Sequence, residues 1–316
     1  MGGKRFLTIL LLFLSLAARA QELEKFVFSP MSLPQAQFVG YYVALDKGYY
    51  REEGLDVVID HPFATQSVAD KVLDGECQAS LLTLSLAMRM VGEGQPLVNI
   101  LQTSMNSATL IISRWGDDPL TLRGARVTGF RAGFGQLAQS FSIKENLDYE
   151  WVFTSAASAV NLFISGAVEA SLARSYDEYY KILQTGLVDP EKGIYRFEDH
   201  EYNIQQEGVW VTREYFKTHR KQAEAFARAS RRGWEWAAAN PEQAMDVVMR
   251  YIKEYRIATN RTLQWLMLKE VLRLQVDHES GLREFRLRPD MVQAADDLLF
   301  TSGRLTRHVS YEDLIP

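Results

Sequence analysis

Residues 26–59 read FVFSPMSLPQAQFVGYYVALDKGYYREEGLDVVI. Phe26-Val27-Phe28 is short and apolar, the composition of a buried strand. Gln35 to Lys47 places Phe38, Tyr41, Tyr42 and Leu45 on one side of a helix, and Gly48 stops it. Leu55 to Ile59 is a second strand, rich in β-branched side chains. Strand, helix and strand in this order make a parallel crossover unit.

The alternation continues outward. Gln66 to Leu73 reads as a helix, Ala79 to Leu82 as a strand, and Thr83 to Val91 as a helix; Leu97 to Gln102 and Thr109 to Ser113 follow as strands. Trp115-Gly116-Asp117-Asp118-Pro119 interrupts the pattern with turn residues. The alternation then restarts with strands at 126–130, 151–153 and 170–173, helices at 136–145, 156–165 and 176–184, and a last short strand at 195–197. From Arg213 onward the pattern is helical, and Asn240-Pro241-Glu242 has the residues of a helix start.

This order predicts an α/β protein with two lobes, mostly parallel sheets, a two-stranded hinge and a helical C-terminal tail. The expected boundaries are 21–118 and 213–316 for a discontinuous first lobe and 119–212 for the second. Two lobes on a hinge are suited to closing around a ligand.

The N-terminus predicts export. Lys4 and Arg5 precede an apolar run from Phe6 to Ala17, and Ala18-Arg19-Ala20 supplies the small residues of a cleavage site. The run is shorter than the ~20 residues of a membrane-spanning helix. Residues 1–20 are therefore expected to be a cleaved signal peptide, giving a periplasmic protein without stable membrane insertion. Cleavage removes Lys4, Arg5 and Arg19 and no acid, so the formal charge goes from −5 to −8. An acidic chain has no general attraction for nucleic acid. One cysteine, Cys77, excludes an intramolecular disulfide.

Ligands of open α/β sheets bind where strand ends feed helix N-termini. The matching loops are 29–37, 62–67 and 82–85 in the first lobe, and 131–136, 154–155 and 174–178 in the second. The candidate ligand contacts are Gln37, Tyr41, Thr65, Gln66, Thr83, Gly133, Phe134, Gly135, Arg174, Tyr176, Glu178 and Trp210. Gln37 and Tyr41 lie four apart, on one side of a helix. Thr65 and Thr83 are equally suited to helix capping. Gly133-Phe134-Gly135-Gln136-Leu137-Ala138 matches a dinucleotide fingerprint only loosely, and its use is a close backbone approach to a polar ligand. Glu178 is expected to accept hydrogen bonds from the ligand without supporting the fold, with Tyr176 stacked beside it. The five histidines, 61, 200, 219, 278 and 308, show no metal spacing, and no nucleophile elbow or phosphate loop is present.

Gln35 to Ala44, Lys47-Gly48-Tyr49-Tyr50 and Glu53-Gly54-Leu55-Asp56-Val57 resemble the opening of the NMT1/THI5-like solute-binding family. Three further segments resemble it: Leu122 to Val127; Phe163 to Ala170 with Tyr176-Asp177-Glu178-Tyr179; and Gly233 to Ala237 with Asn240 to Ala244. The resemblance implies the type II periplasmic-binding-protein fold. It does not fix the ligand; the expectation is a monomeric, cofactor-free receptor that hands a small molecule, such as a thiamine-pyrimidine precursor, to an ABC importer permease. A sulfonate-type anion receptor, using Arg131 and Arg174, is the alternative binder. A sensor acting in trans on a membrane kinase is another. The family's pyrimidine synthases carry a cysteine-rich motif that this chain lacks, which speaks against an enzyme. Mass spectrometry of the exported protein is expected to find Gln21 at its N-terminus; an intact Met1 would refute cleavage.

Overall fold

The computed structural model describes residues 23–63, 66–131 and 133–316, so the proposed signal peptide and Thr65 lie outside the described residues. Among the described residues no helix is long and apolar enough to cross a membrane.

Two five-stranded sheets organise the chain. The first contains β1 (Glu24–Ser29), β2 (Leu55–Ile59), β3 (Ala79–Thr83), β4 (Leu97–Gln102) and β10 (Glu207–Thr212), in the order β2-β1-β3-β10-β4. The second contains β5 (Thr109–Ser113), β6 (Ala125–Gly129), β7 (Tyr149–Phe153), β8 (Ala170–Arg174) and β9 (Ile194–Arg196), in the order β7-β6-β8-β5-β9. β1 runs parallel to β2 and β3, and β6 runs parallel to β7 and β8. β10 is antiparallel to both of its neighbours, and so is β5.

The antiparallel strands correct the expected layout. Thr109–Ser113 was expected in the first lobe but lies inside the second sheet, and Val209 to Val211 lies inside the first. The chain passes between sheets in 103–108 and returns in 197–206, upstream of the expected crossings at Pro119 and Thr212. The reason is burial. Leu110, Ile111 and Ile112, like Val209, Trp210 and Val211, are fully buried, which suits the middle of a sheet. Such a run carries no local sign of which sheet will take it.

Helix α1 (Val39–Asp46) follows a single 3-10 turn at Ala36–Phe38 and packs against the long helix at Arg220–Ala239. Their contact needs two glycines. A Cβ on Gly40 would overlap the Trp234 ring, and one on Gly233 would overlap the carbonyl oxygen of Gly40. Around this crossing Phe226 stacks on Phe26 at 4.5 Å and on Tyr50 at 5.2 Å between centroids.

Most of the C-terminal tail packs on the first lobe, but it also reaches the second. The helix at Pro289–Thr301 packs on the second-lobe helix at Phe134–Lys144. Ser302 Oγ donates to Ser140 Oγ at 2.7 Å, and Arg304 Nη2 donates to Gln139 Oε1 at 2.7 Å. Val292, Ala295, Leu298 and Leu299 share a buried cluster with Leu137 and Phe141. The helical pattern was legible, but the partner of its apolar face was not.

Gly233→Ala gains about 1 kcal/mol of helix propensity and loses more to overpacking, which costs about 1–3 kcal/mol. A net loss of stability, seen as a lower urea midpoint at unchanged slope, is expected; a raised midpoint would refute the close crossing.

Candidate functional site

The strand-end loops converge on a cavity of ≈ 380 Å³ between the lobes. Met31 and Ser32 come from the first loop, Gln66 and Ser67 from the second, and Leu82 and Thr83 from the third. The second lobe contributes Phe130, Gly133, Phe134, Ala156 and Arg174. The walls are therefore aliphatic and aromatic. The polar groups are hydroxyls, one amide and one guanidinium.

Local chemistry explains why these loops stay open to a ligand. Ser67 caps the helix at Val68–Leu73 by accepting from Asp70 N at 3.2 Å, and Thr83 caps the helix at Leu84–Gly92 by accepting from Leu86 N at 3.4 Å. Gln66 Oε1 accepts from Phe63 N at 3.1 Å. Gly133 has φ 60° and ψ −125°, a conformation that favours glycine, and it starts the helix at Phe134–Lys144. A Cβ on Gly135 would overlap the carbonyl oxygen of Phe130, so its glycine serves the packing of helix on strand end. Across the cleft, Ser85 Oγ donates to the Gly133 carbonyl at 3.0 Å. Lobe-to-lobe contact thus closes one side of the cavity.

Gln66, Thr83, Gly133, Phe134 and Arg174 line the cavity. Gly135, Tyr41, Tyr176, Glu178 and Trp210 do not. Tyr41 is fully buried between Phe28, at 4.5 Å, and Trp234, at 5.5 Å. Trp210 is fully buried in the middle of the first sheet. Both aromatics face the core because their strand and helix bury those positions.

Glu178 is fully buried and turned onto Arg174. Its Oε2 accepts from the backbone N–H and from Nε of Arg174, both at 2.9 Å, and its Oε1 pairs with Nη2. Burial alone pushes this carboxyl up; the Arg174 charge and hydrogen bonds override it and hold it below the usual glutamate range. Arg174 Nη2 also donates to Asp177 at 3.0 Å, and Lys181 pairs with Asp177 at 2.5 Å. Two cations and two carboxylates therefore neutralise one another. The guanidinium lies 5.9 Å from the Phe130 ring centroid, 5.6 Å from that of Phe134 and 5.4 Å from that of Tyr176. Arg131 lies over Phe153 at 4.8 Å and is not among the lining residues, although its neighbour Phe130 is.

Gln37 is buried but points to the hinge. Its Nε2 donates to Tyr176 Oη at 2.9 Å and to Glu207 Oε1 at 2.8 Å. Tyr176 Oη donates to Glu207 Oε1 at 2.6 Å. Burial pushes the Glu207 carboxyl up, while the Tyr176 hydroxyl, the Arg174 charge and the Gln37 amide pull against that rise.

Sequence reasoning missed two polar groups behind the site. Glu207 ends the run Gln205-Gln206-Glu207, three buried polar residues at the return crossing, and that run was the available sign. His61 is buried, with Nδ1 2.6 Å from the Ser32 carbonyl and Nε2 2.9 Å from Tyr42 Oη. A carbonyl only accepts, so Nδ1 carries the proton and Nε2 accepts from Tyr42. Burial pushes the His61 pKa down to about 4, keeping the ring neutral while it fixes the Ser32 loop. No local feature separated His61 from the other histidines. Among the described residues no group of His, Cys, Asp and Glu is arranged to hold a metal.

The riboflavin-binding protein RibY of Chloroflexus aurantiacus is 25% identical over 254 residues, covering 76% of this chain and 70% of that protein. The formylaminopyrimidine-binding protein of Halalkalibacterium halodurans is 25% identical over 234 residues, covering 68% of this chain and 67% of that one. The crystal structure of the periplasmic aliphatic sulphonate binding protein SsuA from Escherichia coli superposes with TM-score 0.66 at 13% identity, over 92% of this chain and 97% of that one. At that identity the likeness is one of fold, and the fold is the two-lobed type II periplasmic-binding-protein fold. A family model described as NMT1/THI5 like matches residues 35–244, so the chain belongs to the NMT1/THI5-like family.

Proposed function

We propose that this chain is an exported receptor that closes on a small, uncharged heterocycle and delivers it to an ABC importer permease. The observation that carries the choice of ligand is the state of Arg174. It is the one charged residue among the described lining of the cavity, and Glu178 and Asp177 already satisfy it. Arg131, the other cation of the sulfonate reading, lies over Phe153. Among the described lining residues an anion would meet no unpaired positive charge. A planar ring would meet Phe130 and Phe134 as walls and Ser32, Ser67 and Thr83 as hydrogen-bonding groups. A cavity of ≈ 380 Å³ is within the range that holds small organic molecules. The named ligands of the two relatives, riboflavin and a formylaminopyrimidine, are heterocycles and support the same class. Binding is favoured over catalysis because the described lining residues contain no nucleophile paired with a base.

Protein stripped of bound molecules in denaturant and refolded is screened by thermal shift against riboflavin, a formylaminopyrimidine, thiamine and ethanesulfonate. A heterocycle at 100 times its dissociation constant adds about 2.7 kcal/mol and raises the melting temperature. A shift with ethanesulfonate alone would overturn the reading. Glu178→Gln is expected to destabilise the ligand-free protein by about 3 kcal/mol, because it leaves a buried cation underpaired. Glu178 has a lowered folded pKa. Its contribution is therefore present above the unfolded carboxyl value of about 4.3 and is lost as pH falls through the lower folded value. In the Gln variant this part of the acid-induced loss disappears. The same substitution leaves Arg174 with charge to spare, so ethanesulfonate is expected to bind the variant more tightly than the wild type in calorimetry.

A further inference from the structure

Gln37, Tyr176 and Glu207 come from the first lobe, the second lobe and the crossing between them. Gln37 belongs to the 3-10 turn after β1, in the first lobe. Tyr176 belongs to the loop after β8, in the second. Glu207 is the first residue of β10, where the chain returns from the second sheet to the first.

Their hydrogen bonds form a closed triangle. The Gln37 amide gives one hydrogen to Glu207 and one to Tyr176, at 2.8 Å and 2.9 Å, and the Tyr176 hydroxyl gives its hydrogen to Glu207 at 2.6 Å. Gln35 Nε2 donates to Gln37 Oε1, which fixes the amide with its nitrogen toward the triangle. All three side chains are buried, at 1%, 2% and 6% exposure, and none lines the cavity. The Tyr176 bonds join the second lobe to the first, so a rotation that parts these two loops would leave the buried Glu207 carboxyl without its Tyr176 donor.

We propose that Glu207 is a positioning residue for ligand binding: through Gln37 of one lobe and Tyr176 of the other it latches the lobes shut before any ligand arrives. Ligand affinity then depends on a bond the ligand never touches, because the fraction of molecules already closed scales the apparent affinity. Tyr176 couples the latch to the cavity, since its ring meets that of Phe134, a lining residue, edge to face at 6.5 Å.

The proposal rests on reading the chain as a receptor whose lobes move. Its test uses no ligand, so its failure is distinguishable from failure of the ligand assignment. Spin labels are placed at Val58→Cys and Leu187→Cys, which are 52% and 40% exposed in the wild type and belong to different lobes; Cys77 is buried and escapes labelling. Interlobe distances are measured on protein stripped in denaturant and refolded. The otherwise wild-type labelled protein is expected to give one short, narrow distance. Tyr176→Phe keeps the ring, removes the hydroxyl and shifts the closed-to-open ratio by roughly twofold to tenfold, the net strength of a hydrogen bond. Glu207→Gln retains an acceptor oxygen and stays closed, a rescue that a general packing role would not produce. Gln37→Leu, read the same way, serves if Tyr176→Phe does not fold. A long distance in the ligand-free parent overturns the latch. So does a Tyr176→Phe distribution that superposes on the parent, or a Glu207→Gln protein as open as Tyr176→Phe.

Discussion

Ser104 Oγ accepts hydrogen bonds from the backbone N–H groups of both Gln206 and Glu207, at 2.9 Å and 2.8 Å. The Glu207 carbonyl accepts from Thr103 N and Ser104 N, and Gln206 Oε1 accepts from Ala108 N. These bonds tie the outgoing crossing to the returning one. The outgoing crossing and the last residues of the returning one, 204–206, are buried, and a buried loop must find partners for its backbone polar groups. The sequence supplies them as Thr103-Ser104 and Asn106-Ser107 on one side and Asn203 and Gln205-Gln206-Glu207 on the other. With the crossings fixed, β5 and β10 enter the middle of the opposite sheets, and the strand-end loops of both sheets face one cleft.

The cleft is tuned by neutralising charge. Arg174 lines the cavity, and Asp177 and Glu178, which follow it at the start of the helix at Glu178–Leu183, pair with it. The turn between β8 and that helix brings both carboxylates onto the guanidinium. The aromatic rings around it then serve as walls. A related fold can thus take different ligand classes by changing which charges are paired and keeping the same loops.

Most elements were legible because their patterns are local. The strand at Leu55–Ile59 and the helix at Ala156–Ser165 fall where periodicity placed them, and Ser67 and Thr83 cap helices as their side chains allow. Six strand-end loops were named from the α/β pattern, and residues in or beside each of them line the cavity. The individual contacts were less legible. Tyr41, Trp210, Tyr176 and Glu178 have the chemistry of ligand contacts, but chemistry does not say whether a side chain turns toward the cleft or toward the core. Glu207 and His61 went unnoticed because their partners, Tyr176 with Gln37 and Ser32 with Tyr42, include residues distant in sequence.

The sequence by itself determined the α/β class, the element order and the strand-end loops that border the cavity, since each follows from residues within one or two turns of chain. Only the tertiary structure decided which sheet receives Thr109–Ser113 and Glu207–Thr212, where the helix at Pro289–Thr301 docks, and which candidates reach the cavity. These outcomes depend on pairings across tens to hundreds of residues. A buried apolar strand or a polar side chain carries no mark of its partner until the sheets have closed around it.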